Sequence, residues 1–186
     1  MEAFPRFKSR FPLINGPVRL DQISPKQMAF LRREQEAEDF QRFTCRPISC
    51  RTTLQLRESY EKALSERTML VCGIYPLDSE ELLGKLTAAD YNFRNRSAEI
   101  GYYLLPSYRE KGYMVKSLYT FCDFLFRVGQ LNKLYAQTGA FNMPSARLLE
   151  HLGFHRDGVL RQHHELNGVL WDDYLYSLLA DELLKI

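Results

Sequence analysis

A short loop between a predicted strand and a predicted helix carries an anion-binding pattern. It runs from Tyr108 to Tyr113 and contains two basic residues, Arg109 and Lys111, followed by Gly112. A helix N-terminus offers unpaired N–H donors and a partial positive charge, and a glycine there lets a ligand approach the backbone. A phosphate or pyrophosphate is the natural ligand for such a loop, but an ordinary strand-to-helix turn can also contain glycine and basic residues, and the spacing alone favours that alternative.

A strand and a helix must hold this loop in place. Residues 98–105 form an aromatic, β-rich run that Pro106 closes, which predicts a buried strand. From Met114 the apolar residues recur at the spacing of one helix face, and Gly129 ends the pattern, which predicts a helix over 112–128. The loop therefore lies at the N-terminus of a helix.

The same periodicities predict the remaining elements. An N-cap serine, a proline and a glutamine three residues after the cap start a helix at Ser24, and a similar capping pattern starts another at Thr52. We interpret the charge run from Arg32 to Asp39 as a solvated helix face and residues 1–16 as an irregular leader. The other predicted elements are strands at 18–23, 68–75, 82–91 and 133–141, a short helix that ends at Gly153, and hairpin strands at 159–166 and 171–179.

This order of elements predicts one α/β domain over 1–186, with a mixed, mostly antiparallel sheet and helices on both faces. The three strands before the crossover helix form an antiparallel meander. The helix over 112–128 is then a right-handed crossover that makes its two flanking strands parallel. Asn167-Gly168 predicts a C-terminal β-hairpin whose connection has two residues or more.

Composition limits the classes of function. The 186 residues carry a formal net charge of +2, which is too small to indicate nucleic-acid or membrane binding. No run could span a bilayer and the N-terminus lacks the apolar core of a signal peptide, so we expect a soluble cytoplasmic protein. Cys45, Cys50, Cys72 and Cys122 form no CxxC pair and share no metal-ligand spacing with the histidines. We expect reduced, mostly buried thiols and no metal.

The chain also contains three ordered runs: AEIGYYLLPSYREKGY, FNMPSARLLEHLGF and DGVLRQHHELNGVLWDDYLYSLL. Together they resemble the GNAT superfamily of acetyl-CoA-dependent N-acetyltransferases, close to the branch of Rim-type ribosomal-protein N-terminal acetyltransferases. The resemblance follows the order of elements over 16–180 and is motif-level over 98–179. It implies acetyl-CoA as co-substrate, and it implies that the parallel fourth and fifth predicted strands splay apart.

The resemblance implies that the loop described above binds the pyrophosphate of coenzyme A through backbone amides. In the family pattern Gln/Arg-x-x-Gly-x-Gly/Ala, Arg109 and Gly112 match, whereas Met114 stands where a small residue is usual. Glu110 places a carboxylate beside the phosphates. We expect Met114 to point into the helix–sheet core, which leaves the backbone free. The predicted cofactor loop comprises Arg109, Glu110, Lys111, Gly112, Tyr113 and Met114.

The resemblance also implies that the pantetheine arm lies between the splayed strands. The arm is expected to bond to the backbone at Tyr103, Leu104 and Leu105, where one N–H acts as the oxyanion donor for the thioester carbonyl. Asn142 matches a residue that bonds the cofactor arm, and Ser145 matches a position proposed to protonate the leaving thiolate. Helix capping is the alternative interpretation of both residues.

Acetyl transfer requires a neutral amine, so a base or a water chain must take a proton from it. Glu99 begins the fourth predicted strand and matches an acidic position that acts as general base in related enzymes. Alternatively, it is an exposed strand-end carboxylate paired with Arg94 or Arg96. His163 and His164 in the hairpin are the second choice of base, because histidine titrates in the useful range.

The residues and the resemblance together predict an enzyme, an N-acetyltransferase that passes the acetyl group from acetyl-CoA to an amine by direct attack. The acceptor stays open between a protein N-terminus, a polyamine, an amino-acid-like metabolite and an aminoglycoside. No nucleic-acid or membrane partner is expected, and the resemblance makes a homodimer unsurprising.

Two other classes of function remain open. One is a GNAT-fold module that binds CoA or a partner protein without turnover, which Met114 and Glu110 motivate. The other is a purely structural interaction domain. We interpret Tyr102, Tyr113 and Trp171 as core or cofactor packing in every case.

Overall fold

The protein folds as a mixed sheet with helices on both faces, in a computed structural model that describes residues 10–38, 51–65 and 69–184. The helices are α1 (Pro25–Glu38), α2 (Thr53–Ser65), α3 (Tyr113–Arg127) and α4 (Met143–His151). The strands are β1 (Leu13–Asn15), β2 (Val18–Asp21), β3 (Leu70–Pro76), β4 (Gly84–Asn92), β5 (Ser97–Leu104), β6 (Lys133–Gly139), β7 (His155–Leu166) and β8 (Val169–Leu179). The described residues form one eight-stranded sheet in the order β1-β2-β3-β4-β5-β6-β8-β7.

This topology confirms the predicted mixed α/β architecture. β3, β4 and β5 form the antiparallel meander, and α3 joins β5 to β6, which run parallel. β7 and β8 are joined by two residues, Asn167 and Gly168, whose positive φ angles of 55° and 80° suit a type I′ turn. In the part of the chain that the structure describes, no helix has the length and apolar character to cross a membrane.

Both predicted helix starts are capping boxes. The N–H of Gln27 donates to Ser24 Oγ at 3.2 Å, and the N–H of Ser24 donates to Gln27 Oε1 at 3.0 Å. Thr52 and Gln55 make the same reciprocal pair before α2, at 3.2 and 2.9 Å. Local sequence therefore specifies where these two helices begin.

Two predictions for the N-terminal part of the chain were wrong in part. The leader at 1–16 is not irregular throughout, because Leu13–Asn15 pair with β2 as a short antiparallel strand; residues 1–9 lie outside the described residues. The charge run is not simply a solvated face, because Arg32 is only 8% exposed. Asp39, at the end of that run, also lies outside the described residues.

Alternate residues of the central strands pack on opposite faces of the sheet. Ile100 and Leu104 of β5 belong to the larger buried cluster, together with Phe121 of α3 and with residues of α4. Tyr103, between them, packs on the other face with Met28 of α1. Because strand side chains alternate, β5 contributes to both cores and separates them.

β5 and β6 pair only at their first residues. The parallel register joins Ser97–Glu99 to Lys133–Tyr135, although β5 continues to Leu104 and β6 to Gly139. The C-terminal halves of the two strands therefore diverge, as the resemblance implied, and a gap opens in the middle of the sheet.

Gly84 determines how closely β4 can approach the end of β5. A Cβ atom at this position would lie 2.9 Å from Leu104 Cα and closer still to the carbonyl oxygen of Tyr103. We therefore expect Gly84→Ala to lower the free energy of unfolding by about 1–3 kcal/mol, the usual cost of overpacking. Urea unfolding of the variant and of wild type measures this difference.

Gly158→Ala is the matched control, because a Cβ atom at Gly158 would meet only Leu175 Cδ1, at 4.0 Å. The control is expected to stay within about 0.5 kcal/mol of wild type. Equal losses in the two variants would contradict the close approach of β4 to β5.

Candidate active site

A cavity of about 830 Å³ occupies the gap between β5 and β6. Its walls come from the two strands, the loop before α3, and the first turns of α3 and α4. Leu105 and Lys111, which were predicted to bind cofactor, do not line it. The cavity does bring together the other predicted site residues, namely Glu99, Tyr103, Leu104, Arg109, Glu110, Gly112, Tyr113, Met114, Asn142 and Ser145.

The N-terminus of α3 faces this cavity without a side-chain cap. Gly112 is the N-cap residue, and its φ of 79° lies in the left-handed region that favours glycine. A Cβ atom at Gly112 would meet no described atom within 4 Å, so the space beyond the helix end is open. The first N–H groups of α3 are therefore available to an anion.

Arg109 and Lys111 place positive charge near these N–H groups, but they are held differently. Arg109 Nε donates to the carbonyl oxygen of Leu104 at 3.1 Å, and its guanidinium carbon lies 5.8 Å from the centre of the Tyr103 ring. Lys111 is exposed, with Nζ 5.6 Å from the centre of the Tyr108 ring. Arg109 is thus fixed at the cavity wall, whereas Lys111 stands outside it.

Glu110 and Met114 are the two departures from the family pattern. Glu110 is exposed and has a positive φ of 62°. Met114 is half-buried against the main core, as its helical phase predicted. Neither side chain comes within 4 Å of the point where a Cβ atom at Gly112 would lie, so both leave that space open.

The backbone of β5 presents alternate groups to the cavity. The N–H of Leu105 donates to the carbonyl oxygen of Leu83 at 2.9 Å, so it is engaged beside β4. Backbone groups of successive strand residues point in alternate directions, so those of Tyr103 also face β4, whereas those of Tyr102 and Leu104 face the gap. Of the predicted edge at Tyr103, Leu104 and Leu105, only Leu104 directs its N–H into the gap, which corrects the prediction for the other two.

The start of α4 forms the wall opposite β5. The N–H of Ser145 donates to Asn142 Oδ1 at 3.4 Å, so Asn142 caps the helix. Ser145 Oγ and Tyr102 Oη are 2.6 Å apart, and both hydroxyl groups belong to residues that line the cavity. Capping is therefore observed for Asn142, and it is compatible with contact to a ligand.

Polar residues also line the cavity on the face that carries α1. Glu99 lies beside Tyr135 in the parallel register, and Gln137 follows two residues later on β6. Gln137 Nε2 donates to Asp173 Oδ2 at 2.7 Å, and Asp173 is fully buried. The carboxylate therefore fixes the orientation of the Gln137 amide at the cavity wall.

The two hairpin histidines do not line the cavity. His163 is exposed. His164 is buried, with Nδ1 3.5 Å from Asp173 Oδ1 and its ring 4.8 Å from the centre of the Phe141 ring. Among the bases that the sequence suggested, Glu99 alone lines the cavity.

Sequence reasoning missed three of the cavity residues, Tyr102, Tyr135 and Gln137, as candidates for chemistry. The sequence did contain a signal for Tyr135 and Gln137. Once the strands at 98–105 and 133–141 are taken as parallel neighbours, alternate residues of the second strand fall on the same face as Glu99. No sequence signal linked Tyr102 to Ser145.

The two cysteines that the structure describes do not line this cavity. Cys72 and Cys122 are buried free thiols, and burial raises the pKa of both. Cys45 and Cys50 lie outside the described residues. Within the described ranges, no three His, Cys, Asp or Glu side chains are grouped so that they could hold a metal ion.

Asn142 has two candidate roles that substitutions separate. Asn142→Ala removes the cap and is expected to lower the free energy of unfolding by about 1 kcal/mol. Asn142→Asp keeps a capping oxygen but removes the amide donor, so stability should stay within about 0.5 kcal/mol while affinity for CoA falls. Thermal unfolding and a CoA titration measure the two effects. If Asn142→Asp binds CoA as tightly as wild type does, Asn142 acts only as a helix cap and does not bind the cofactor.

Comparison with known proteins adds independent information. Residues 18–155 match the acetyltransferase (GNAT) domain. YoaA of Bacillus subtilis, an uncharacterized N-acetyltransferase, is 30% identical over 135 residues, which is 67% of this chain and 76% of YoaA. The ribosomal-protein-serine acetyltransferase of Escherichia coli is 28% identical over 102 residues, which is 55% of this chain and 57% of that protein.

The fold has a solved counterpart in the spermidine N-acetyltransferase from Vibrio cholerae, crystallised in complex with CoA and spermine. Its TM-score with this chain is 0.82 at 20% sequence identity, covering 90% of this chain and 98% of that one. Because the domain match spans most of the sequence, this chain belongs to the GNAT family of acetyltransferases.

Proposed function

We propose that this protein transfers the acetyl group of acetyl-CoA to a primary amine by direct attack in a ternary complex. The observation that carries the proposal is the cavity between β5 and β6, which is lined by residues from both faces of β5. A thioester held in the gap and an amine that arrives from the opposite face meet there in a fixed orientation. No covalent enzyme intermediate is needed.

Acetyl-CoA binds, in this proposal, with its pyrophosphate at the N-terminus of α3. The open N–H groups beyond Gly112, the helix dipole and the fixed guanidinium of Arg109 all favour a dianion. Lys111 adds a second positive charge from outside the cavity. Glu110 opposes them, but its carboxylate is exposed, so solvent screens the repulsion.

The pantetheine arm follows β5 into the gap. The N–H of Leu104 is the proposed oxyanion donor, because it points away from β4 towards the cavity. A preorganised donor of this kind lowers the barrier to acyl transfer by about 3 kcal/mol. Asn142 contacts the arm from the opposite wall, and the Ser145 hydroxyl donates to the sulfur as the C–S bond breaks.

Glu99 is the proposed general base. It lines the cavity on the face of β5 that carries α1, where the amine is proposed to enter. It takes the proton of the ammonium directly or through water. The free amine then attacks the carbonyl carbon, and the tetrahedral intermediate loses a proton from nitrogen to water as it collapses to the amide and the CoA thiolate.

Protein N-termini and polyamines are the first acceptors to test. Two relatives are named as a ribosomal-protein-serine acetyltransferase and a spermidine N-acetyltransferase. A protein N-terminus and spermidine both carry a primary amine, which is the nucleophile that the proposed site requires.

The alternative of a CoA-binding module without turnover was motivated by Met114 and Glu110. Met114 packs against the main core and Glu110 is exposed. Because neither fills the open space at Gly112, no specific observation favours this alternative.

Incubation of the protein with isotope-labelled acetyl-CoA and a panel of amines tests the proposal. We expect label in at least one amine product. Glu99→Gln should lower kcat/KM by about 10²-fold, because the amide keeps the shape of the side chain but cannot accept the proton. Affinity for CoA should not change.

Asp78→Asn is the control for this substitution, since Asp78 is exposed and does not line the cavity. It is expected to keep the wild-type rate. Absence of label from every amine, with CoA bound, would contradict the transferase proposal. A wild-type rate for Glu99→Gln would instead reject only the assignment of the base.

A further inference from the structure

Two hydroxyl groups meet at the cavity wall where β5 faces the first turn of α4. Tyr102 Oη and Ser145 Oγ are 2.6 Å apart, which is a short hydrogen bond for a pair of hydroxyls. Both residues line the cavity. The family resemblance gives a role to Ser145 alone, whereas Tyr102 was expected to serve only as packing.

The direction of this hydrogen bond follows from the chemistry of the two groups. A phenol is a much stronger acid than a serine hydroxyl, so it is the better donor and its oxygen is the poorer acceptor. Burial also raises the pKa of the Tyr102 hydroxyl above its usual value, so Tyr102 keeps its hydrogen at neutral pH. Tyr102 therefore donates and Ser145 accepts.

This direction fixes where the Ser145 hydrogen points. A serine hydroxyl has one hydrogen and two lone pairs, and the hydrogen from Tyr102 occupies one of the lone pairs. The Ser145 hydrogen must then turn away from Tyr102. Because Ser145 lines the cavity, its hydrogen can turn towards a ligand bound there.

We propose that Tyr102 is a positioning residue for acetyl transfer, because its hydroxyl donates to Ser145 Oγ and directs the Ser145 hydrogen at the sulfur that leaves. This inference rests on the proposed function. It assigns the two residues to one unit in which only Ser145 touches the reacting atoms.

The chemical step is the one already proposed, with its charges balanced. The amine nitrogen forms a bond to the carbonyl carbon, the C–S bond breaks, and the electron pair stays on sulfur. The ammonium loses two protons in all: the first leaves through Glu99 before attack and passes to solvent, and the second leaves nitrogen as the amide forms and neutralises the thiolate through water. The directed hydrogen of Ser145 stabilises sulfur while its negative charge develops, and so acts in the transition state more than in the bound thioester.

Tyr176 provides a matched comparison within the same core. It is 1% exposed, its hydroxyl donates to Glu150 Oε1 at 2.9 Å, and it does not line the cavity. Tyr176→Phe therefore removes a buried tyrosine hydroxyl and its hydrogen bond without touching the site. If removal of a buried tyrosine hydroxyl from the core is enough to lower kcat, Tyr176→Phe also lowers kcat.

The test measures release of the CoA thiol from acetyl-CoA, with the best acceptor of the amine panel, in Tyr102→Phe, Ser145→Ala, the double variant and Tyr176→Phe. We expect Tyr102→Phe to lower kcat about tenfold, the effect of one lost hydrogen bond. KM for acetyl-CoA should stay within about twofold, because the bond acts on the transition state. Tyr176→Phe should keep the wild-type kcat.

The double variant decides between a positioning role and an independent one. If Tyr102 acts through Ser145, Tyr102→Phe in the Ser145→Ala background causes no further loss of kcat. If the fold-losses of kcat in Tyr102→Phe and Ser145→Ala multiply in the double variant, the inference is overturned. An unchanged kcat in Tyr102→Phe would overturn it as well. Should Tyr102→Phe fail to fold, Ser145→Thr still tests the pair. It keeps a hydroxyl for Tyr102 to donate to and should exceed Ser145→Ala in kcat, whereas equal rates would overturn the role.

The activity of the wild-type protein shows whether the proposed function or only the role of Tyr102 has failed. A wild-type protein that releases no thiol with any amine overturns the proposed function, and the positioning role of Tyr102 with it. A wild-type protein that is active while Tyr102→Phe is equally active overturns the positioning role alone.

Discussion

The divergence of β5 from β6 is the constraint on which the rest of the site depends. The two strands pair over three residues and then separate, while each keeps its ladder with the strand on its other side. Buried backbone groups need hydrogen-bond partners, so a broken ladder in the middle of a sheet is costly unless something else bonds to its edges. Arg109 Nε satisfies one such group, the carbonyl oxygen of Leu104. The remaining groups on the strand edges can bond to a ligand.

The side chains of β5 alternate between the two faces of the sheet, so the two sides of the gap differ chemically. Tyr102 and Leu104 face the core that carries α3 and α4, whereas Glu99 and Tyr103 belong to the face that carries α1. In the proposed complex, a cofactor bound at the ends of α3 and α4 presents its thioester to the Glu99 carboxylate on the opposite face. The proposed complex thus places the two substrates on opposite sides of β5 until they meet in the gap.

Local patterns in the sequence predicted much of this fold. The capping boxes at Ser24 and Thr52 and the strand, loop and helix from 98 to 126 depend on residues within a few positions of each other, so the sequence contains their causes. The loop before α3 was predicted for the same reason. β1 was missed because a three-residue strand is too short to show a period.

The contacts that sequence reasoning did not predict join distant residues. Tyr102 and Ser145 are 43 positions apart, and Gln137 and Asp173 are 36 apart. Neither pair follows from a local period, because the side chains meet only after the sheet has formed. Leu105 was predicted to end the strand and to bond the cofactor arm, but it follows the last residue of β5 and its N–H donates to the carbonyl oxygen of Leu83.

The most direct measurement is a calorimetric titration of the protein with free CoA at low and at high salt. The site described here predicts saturable binding of one CoA per chain, and affinity should fall as salt rises because Arg109 and the end of α3 bind a charged group. Absence of saturable binding at millimolar CoA would contradict the assignment of the cavity between β5 and β6 as the acetyl-CoA site.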